Sequence, residues 1–251
     1  MRPLVLALAL MVAAPVNAAA EDAFRAGQWR EAVNQGRAEA TAQSLIYAGR
    51  ANLWLAGYET SEKARAKALV EAAEKDFDAA LALTPNDPEA RLQKAVAVGY
   101  RAKLAQSPGL AKECRAMFEA VRDAHPDNAL AWSAVAGWHG GSVASLGGFM
   151  AGMVLGAKTS EFEKGYERVF ALEPRNPAYR TLYALTLLDL GPRNAAKAAA
   201  ALKGIERLPA ADAFERKLRE QGAALAKVLE SGDAKAAQDL ARQLAAFGKL
   251  A

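Results

Sequence analysis

Three stretches of this chain align without gaps: Glu74-Lys-Asp-Phe-Asp-Ala-Ala-Leu-Ala-Leu-Thr-Pro85, Arg115-Ala-Met-Phe-Glu-Ala-Val-Arg-Asp-Ala-His-Pro126 and Glu163-Lys-Gly-Tyr-Glu-Arg-Val-Phe-Ala-Leu-Glu-Pro174. An aromatic residue sits eight positions before each proline (Phe77, Phe118, Tyr166). A small or β-branched apolar residue sits five before it (Ala80, Val121, Val169). A polar turn follows: Asn86-Asp87-Pro88, Asp127-Asn128 and Arg175-Asn176-Pro177. Ten residues past each proline stands an alanine: Ala95, Ala136, Ala184. Apolar residues three, four and seven apart make one face of a helix. Proline cannot continue that helix, and Asn or Asp caps the next one. The unit is therefore helix, turn, helix, with a bulky side chain on one helix beside a small one on its partner.

Two fragments extend the pattern outward. Ala23-Phe-Arg-Ala-Gly-Gln-Trp-Arg-Glu-Ala32 and Gly232-Asp-Ala-Lys-Ala-Ala237 each look like a junction between paired helices. The pattern predicts helices over 21–27, 29–41, 43–56, 61–83, 88–105, 109–124, 128–139, 142–156, 159–172, 177–190, 192–207, 210–230 and 233–248, and no strand. The fold class is all-α: an α-solenoid of about 12–13 helices, one domain over 21–251. Residues 192–251, rich in alanine and lysine, are expected to form C-terminal capping helices.

The arrangement resembles the tetratricopeptide repeat (TPR), whose second helix often runs to a proline followed by Asn/Asp-Pro and a helix with a central alanine. The prolines here stand 41 and 48 residues apart rather than 34, which makes these divergent or expanded repeats. Trp138-His139, an apolar helix, a charged link, Tyr166 to Pro174 and Tyr183-Ala184 also resemble the regulator of microtubule dynamics proteins. The same residues resemble periplasmic TPR proteins associated with TRAP-type transporters. The resemblance implies an all-helical interaction or ligand-holding module without catalytic residues. The chain departs from the transporter lipoproteins by lacking a lipidated cysteine.

Composition bounds the chemistry. The 251 residues hold 62 alanines, one cysteine (Cys114) and two histidines (His125, His139). A lone cysteine makes no internal disulfide and no cysteine-based metal cage. A formal charge of +4 over this length carries no nucleic-acid footprint. No His-x-x-x-His or His-Glu-x-x-His occurs, Gly140-Gly-Ser142-Val-Ala144 falls one residue short of a nucleophile elbow, and Gly147-Gly148 lacks a phosphate loop's Lys-Ser/Thr. The carboxylates Glu71, Glu74, Asp76, Asp78, Glu161, Glu163 and Glu167 interleave with lysines and arginines, as on a solvated helix face. The expectation is no enzyme, no cofactor and no metal.

Residues 1–20 read as a removable signal peptide: Arg2, an uncharged run from Leu4 to Ala14, Pro15, then Val16-Asn17-Ala18 and Ala18-Ala19-Ala20 as cleavage options. The expected location is the periplasm, or outside the cell, with no stable membrane span after cleavage.

The segment Gly140–Ala157 carries no charge. Ala144, Gly148, Gly152 and Gly156 recur every fourth residue, and Val143, Leu146, Phe149, Met150, Met153 and Leu155 lie opposite. The leading expectation is an extra core helix packed through the small residues. The other readings are the wall of an adaptable groove or pocket, and a membrane-inserting hairpin. The candidate ligand- or partner-binding residues are Trp132, Trp138, His139, Phe149, Met150 and Met153. Arg91 and Arg180 join them as possible carboxylate holders in a concave groove, a solvated surface position being the plainer reading. The functional expectation is a non-catalytic scaffold for a protein or peptide partner. The alternative is a carrier of a small apolar ligand or lipid, using a pocket near residues 138–156.

Overall fold

The computed structural model describes residues 19–250. The expected signal segment lies outside the described residues except for Ala19 and Ala20. These belong to the first helix, where Ala20 is buried and its N–H donates to the Glu39 carboxylate. Thirteen α-helices follow one another among the described residues: α1 (Ala19–Ala26), α2 (Trp29–Glu39), α3 (Ala42–Trp54), α4 (Lys63–Leu83), α5 (Pro88–Ala105), α6 (Pro108–Ala124), α7 (Ala129–Leu146), α8 (Gly148–Leu155), α9 (Thr159–Leu172), α10 (Pro177–Leu190), α11 (Ala195–Leu202), α12 (Ala213–Glu230) and α13 (Ala234–Leu244). A π-helical turn, Leu55–Glu59, extends α3. The described residues contain no strand, and consecutive helices stack in antiparallel pairs as a helical repeat.

The three proline turns share one geometry. Thr84, His125 and Glu173, each directly before its proline, leave the helical conformation with ψ of 71–84° and donate their N–H to Ala80, Val121 and Val169 at 2.8–2.9 Å. Two residues past the proline, Asp87, Asn128 and Asn176 cap α5, α7 and α10 with their side chains. Their own N–H groups close the turn onto the carbonyls of Thr84, His125 and Glu173. Phe77, Phe118 and Tyr166 are buried, as are the alanines Ala95, Ala136 and Ala184. Packing is close between α7 and α9, where a Cβ on Gly165 would stand 2.6 Å from the Ala136 methyl.

The C-terminal helices do more than cap the end of the stack. They pack on α10, where Thr181 Oγ1 donates to the Leu218 carbonyl at 3.0 Å and Arg242 pairs with Asp189 at 2.9 Å. The same segment also reaches back to the first helices. Ala213 and Phe214 join Phe24, Trp29 and Trp54 in one cluster. Arg50 of α3 lies between Glu89 (3.0 Å) and Asp212 (3.6 Å). Phe247 donates its N–H to Gly57 O at 2.6 Å and sets its ring against Tyr100, while Lys103 Nζ holds the Ala246 carbonyl. The segment thus packs on α3, α5 and α10, each the leading helix of a pair. The segment reads as a plain cap because its large apolar residues are few, but Phe214 and Phe247 are spent on this bridging and Leu225 on the core around α10.

A second difference concerns the expected break near Gly140. Helix α7 runs through Gly140 and Gly141 and ends at Gly147 (φ +76°). Gly140 serves close packing: a Cβ there would meet Thr186 Cγ2 at 2.5 Å and Phe162 at 2.7 Å. Gly147 supplies the backbone conformation that side chains resist.

Candidate functional site

The inserted helix α8 is the feature that departs from the repeat. It is not the core helix expected from its composition. Phe149 is 79% exposed, Met153 63%, and Leu146 and Met150 45% each, whereas Ala151 and Leu155 face inward with Val143 and Ala157. The small-residue stripe does not pack against another helix. Gly147 interrupts it, and Gly156 is a left-handed cap (φ +71°). A Cβ on Gly148 would touch nothing within 4 Å, and one on Gly152 only Ala157 O at 3.8 Å. Among the described residues no helix is long and apolar enough to cross a membrane.

The fold holds α8 by its ends. Arg115 of α6 donates to the Leu155 carbonyl at 3.3 Å and lies over the Trp138 ring. Trp138 is itself tied by its indole N–H to Ala111 O at 2.8 Å. His139 is 2% exposed, and its Nδ1 accepts from the Lys158 N–H at 3.2 Å. Trp138 and His139 are therefore the mounting of α8, and His139 has no open face for a ligand.

Burial, and then the charge of Arg115, hold the His139 imidazole below its ordinary range. Glu161 and Glu119 oppose that shift, and Arg122 adds to it. A depressed folded value means that the unfolded chain takes up the proton first. Stability is therefore complete above about pH 6.5, the free histidine value, and falls as the pH drops below it. Thermal melts between pH 8 and 5 are expected to show this loss. His139→Asn, which keeps an acceptor near the Nδ1 position, should flatten it. An unchanged slope in that variant would place the acid sensitivity elsewhere.

Trp132, Arg91 and Arg180 also have structural work. Each stands six residues past a repeat proline and donates to that proline's carbonyl: Trp132 to Pro126 (2.8 Å), Arg91 to Pro85 (3.3 Å) and Arg180 to Pro174 (2.8 Å). Arg91 also bonds Asn86, and Arg180 also bonds Ala201 O. They are turn clamps, not carboxylate holders in a groove. The signal was in the alignment, since the sixth position after each proline carries an N–H donor on a long side chain in all three repeats.

Beside the start of α8 lies a cleft of about 410 Å³, lined in part by Val143, Ala144, Gly147 and Gly148 from the stretch where a pocket was the alternative expectation. Gly147, Gly148 and Thr159 form one wall, Asp189 and Arg193 another, and Gln238 and Arg242 of α13 a third. The C-terminal helix that builds the third wall arrives only through the tertiary fold. None of the eight residues singled out from the sequence lines the cleft. A shallower depression lies at the turns around His125, Pro126 and Tyr179. Cys114 is buried, and burial pushes its thiol up to about 12, which keeps it protonated and unreactive. Among the described residues, no cluster of three or more His, Cys, Asp or Glu side chains is arranged to hold a metal ion.

No protein-family model matches the chain, and a search of curated proteins finds no match.

Proposed function

We propose that this is a non-catalytic, exported binding module of divergent TPR type, acting in the bacterial periplasm, that docks a protein partner on α8. One observation carries the reading: Leu146, Phe149, Met150 and Met153 stand exposed together on an inserted element. Glycines in left-handed or related conformations bracket it, and Arg115 and His139 hold it. Four large apolar side chains kept in water over so short a span mark a contact surface. Thioethers adapt to irregular partners. Charges of both signs border the patch, with Arg193, Asp189 and Glu163 on one side and Arg115 and Glu119 on the other. A mixed polar rim around an apolar centre is the anatomy of a protein interface. The same charged walls make the neighbouring cleft a poor container for an apolar solute or lipid. The TPR assignment rests on the repeated proline turn, and the location rests on the leader-like first twenty residues.

A photo-crosslinking residue placed at position 149 in cells should capture one discrete protein, and the same residue at exposed Leu83 should not. Phe149→Asp combined with Met153→Asp should abolish the adduct formed from a crosslinker at Leu146. The melting temperature should stay nearly unchanged, because both side chains are already in water. Capture of lipid alone, or equal capture from positions 149 and 83, would overturn the reading. Fractionation should place the mature chain in the periplasm, and a full-length cytoplasmic chain would refute export.

A further inference from the structure

We propose that the cleft between the start of α8, the end of α10 and α13 binds the carboxylate of a small organic acid. This goes beyond the docking role of α8 and does not depend on it. Two helix N-termini converge on the cleft. Gly148 opens α8 and Thr159 opens α9, both line the cleft, and neither helix has a side-chain cap for its first N–H groups. Such ends present unpaired donors and the positive pole of the helix dipole.

A second, independent feature faces the same space. Gln238 is 7% exposed, lines the cleft and makes no hydrogen bond to any described residue. Its amide is not among the side-chain groups sealed from solvent without a partner, so it opens onto the cleft and is free to bond an occupant.

The charge of the walls selects the sign of the occupant. Glu163 is already taken by Lys197 at 2.6 Å and the Tyr183 hydroxyl at 2.8 Å. Asp189 is taken by Arg242 at 2.9 Å. Arg193, also in the wall, has no carboxylate partner among the described residues. The donors left over are one guanidinium, one primary amide and two helix ends, and together they call for an anion. A planar guanidinium fork beside an amide fits a planar carboxylate. A volume of about 410 Å³ exceeds that of a bare inorganic ion and falls within the ordinary span of small-molecule sites, about 300–1,000 Å³.

The test is a ¹⁵N NMR titration of the purified protein with N-acetylalanine, in parallel with N-acetylalaninamide and inorganic phosphate at matched ionic strength. N-acetylalanine should shift the backbone amides of Gly148 and Thr159 and the side-chain amide of Gln238, with saturation. The uncharged amide should not. Arg193→Gln and Gln238→Leu should each weaken binding by about tenfold or more, the loss expected for a charge-assisted hydrogen bond. Arg193 is exposed, so its variant should otherwise keep the parent spectrum. A further arm with acetylated trialanine carrying a free carboxylate separates the two sources of the group. Tighter binding than N-acetylalanine supports a peptide C-terminus, and equal binding supports a free small acid. Equal shifts from acid and amide, equal shifts from phosphate, no saturable shift, or unchanged binding in Arg193→Gln would each overturn the proposal.

Discussion

Tyr166→Ala is expected to cost about 3–5 kcal/mol of stability, the ordinary loss for deleting a fully buried aromatic ring. For a chain of this size that lowers the melting temperature by roughly 6–20 °C. Tyr166 is 1% exposed and touches three other rings: Tyr183 at 4.8 Å, Phe162 at 5.2 Å and Phe170 at 5.7 Å between centroids. The ring therefore joins α9 to α10, while its neighbours Gly165 and Ala136 let α7 approach. The phenol itself contributes little, because its one partner, Ser133 Oγ, donates from 3.4 Å. Tyr166→Phe should accordingly lose no more than about 1 kcal/mol. Denaturant unfolding of the two variants checks this. A loss below about 1 kcal/mol in Tyr166→Ala would show that the third repeat is not the centre of the fold.

Trp54→Ala should cost a similar amount, about 3–5 kcal/mol, for a different reason. Trp54 stacks on Tyr58 at 4.4 Å, lies 5.2 Å from Trp29, and meets Phe214 edge-on at 5.5 Å. Its indole N–H donates to Glu59 at 3.1 Å. Two of these neighbours belong to the first helices, and Phe214 belongs to the segment that returns from the C-terminus. Removing the indole should thus weaken the start of the stack and loosen α12 at once. Hydrogen exchange should rise at residues 213–220 as well as in α2 and α3. Phe214→Ala should raise exchange at 213–220 while leaving α2 largely protected. Unchanged exchange at 213–220 in Trp54→Ala would mean that Arg50–Asp212 and the Phe247 contacts hold the closure without the aromatic cluster.

The aromatic–alanine pairs and capped proline turns were legible because they are local. A proline, the residue before it and a capping Asp or Asn two residues later decide a turn within six residues, whatever lies elsewhere. The reading faltered where identical residues serve different ends. Gly140 and Gly147 are both glycines in one apolar run, yet one is needed for a missing Cβ and the other for a positive φ. Only the neighbours Thr186 and Phe162 tell them apart. For Arg91 and Arg180 the sequence leaves a solvated position and a groove position both open, because a charge on a helix carries no direction. Their actual acceptors are carbonyls six residues back.

The candidate site was half visible. The uncharged run 140–157 drew attention to α8, but hydrophobicity alone argued for burial. Exposure of Phe149 and Met153 follows from the turn at Gly147, which sets α8 so that Ala151 and Leu155 pack on Val143 and Trp138 of α7 while the opposite face stays in water. A pocket near 138–156 was one expectation, but the far walls of the cleft were not legible, since Arg193 and Gln238 lie in segments that share no pattern with Gly148.

The amino-acid order by itself determined most of the helices and the proline turns that pair them, because those depend on contacts across a few tens of residues and on backbone preferences. It also bounded cysteine and histidine chemistry, because one cysteine and two histidines cannot be multiplied by folding. Only the tertiary structure decided what each face meets. The closure of the C-terminal segment on α3 and α5, the outward turn of α8 and the convergence of two helix ends with Arg193 and Gln238 all join residues far apart in the chain. Such contacts are set by how whole helices fill space against one another, and local periodicity carries no record of that.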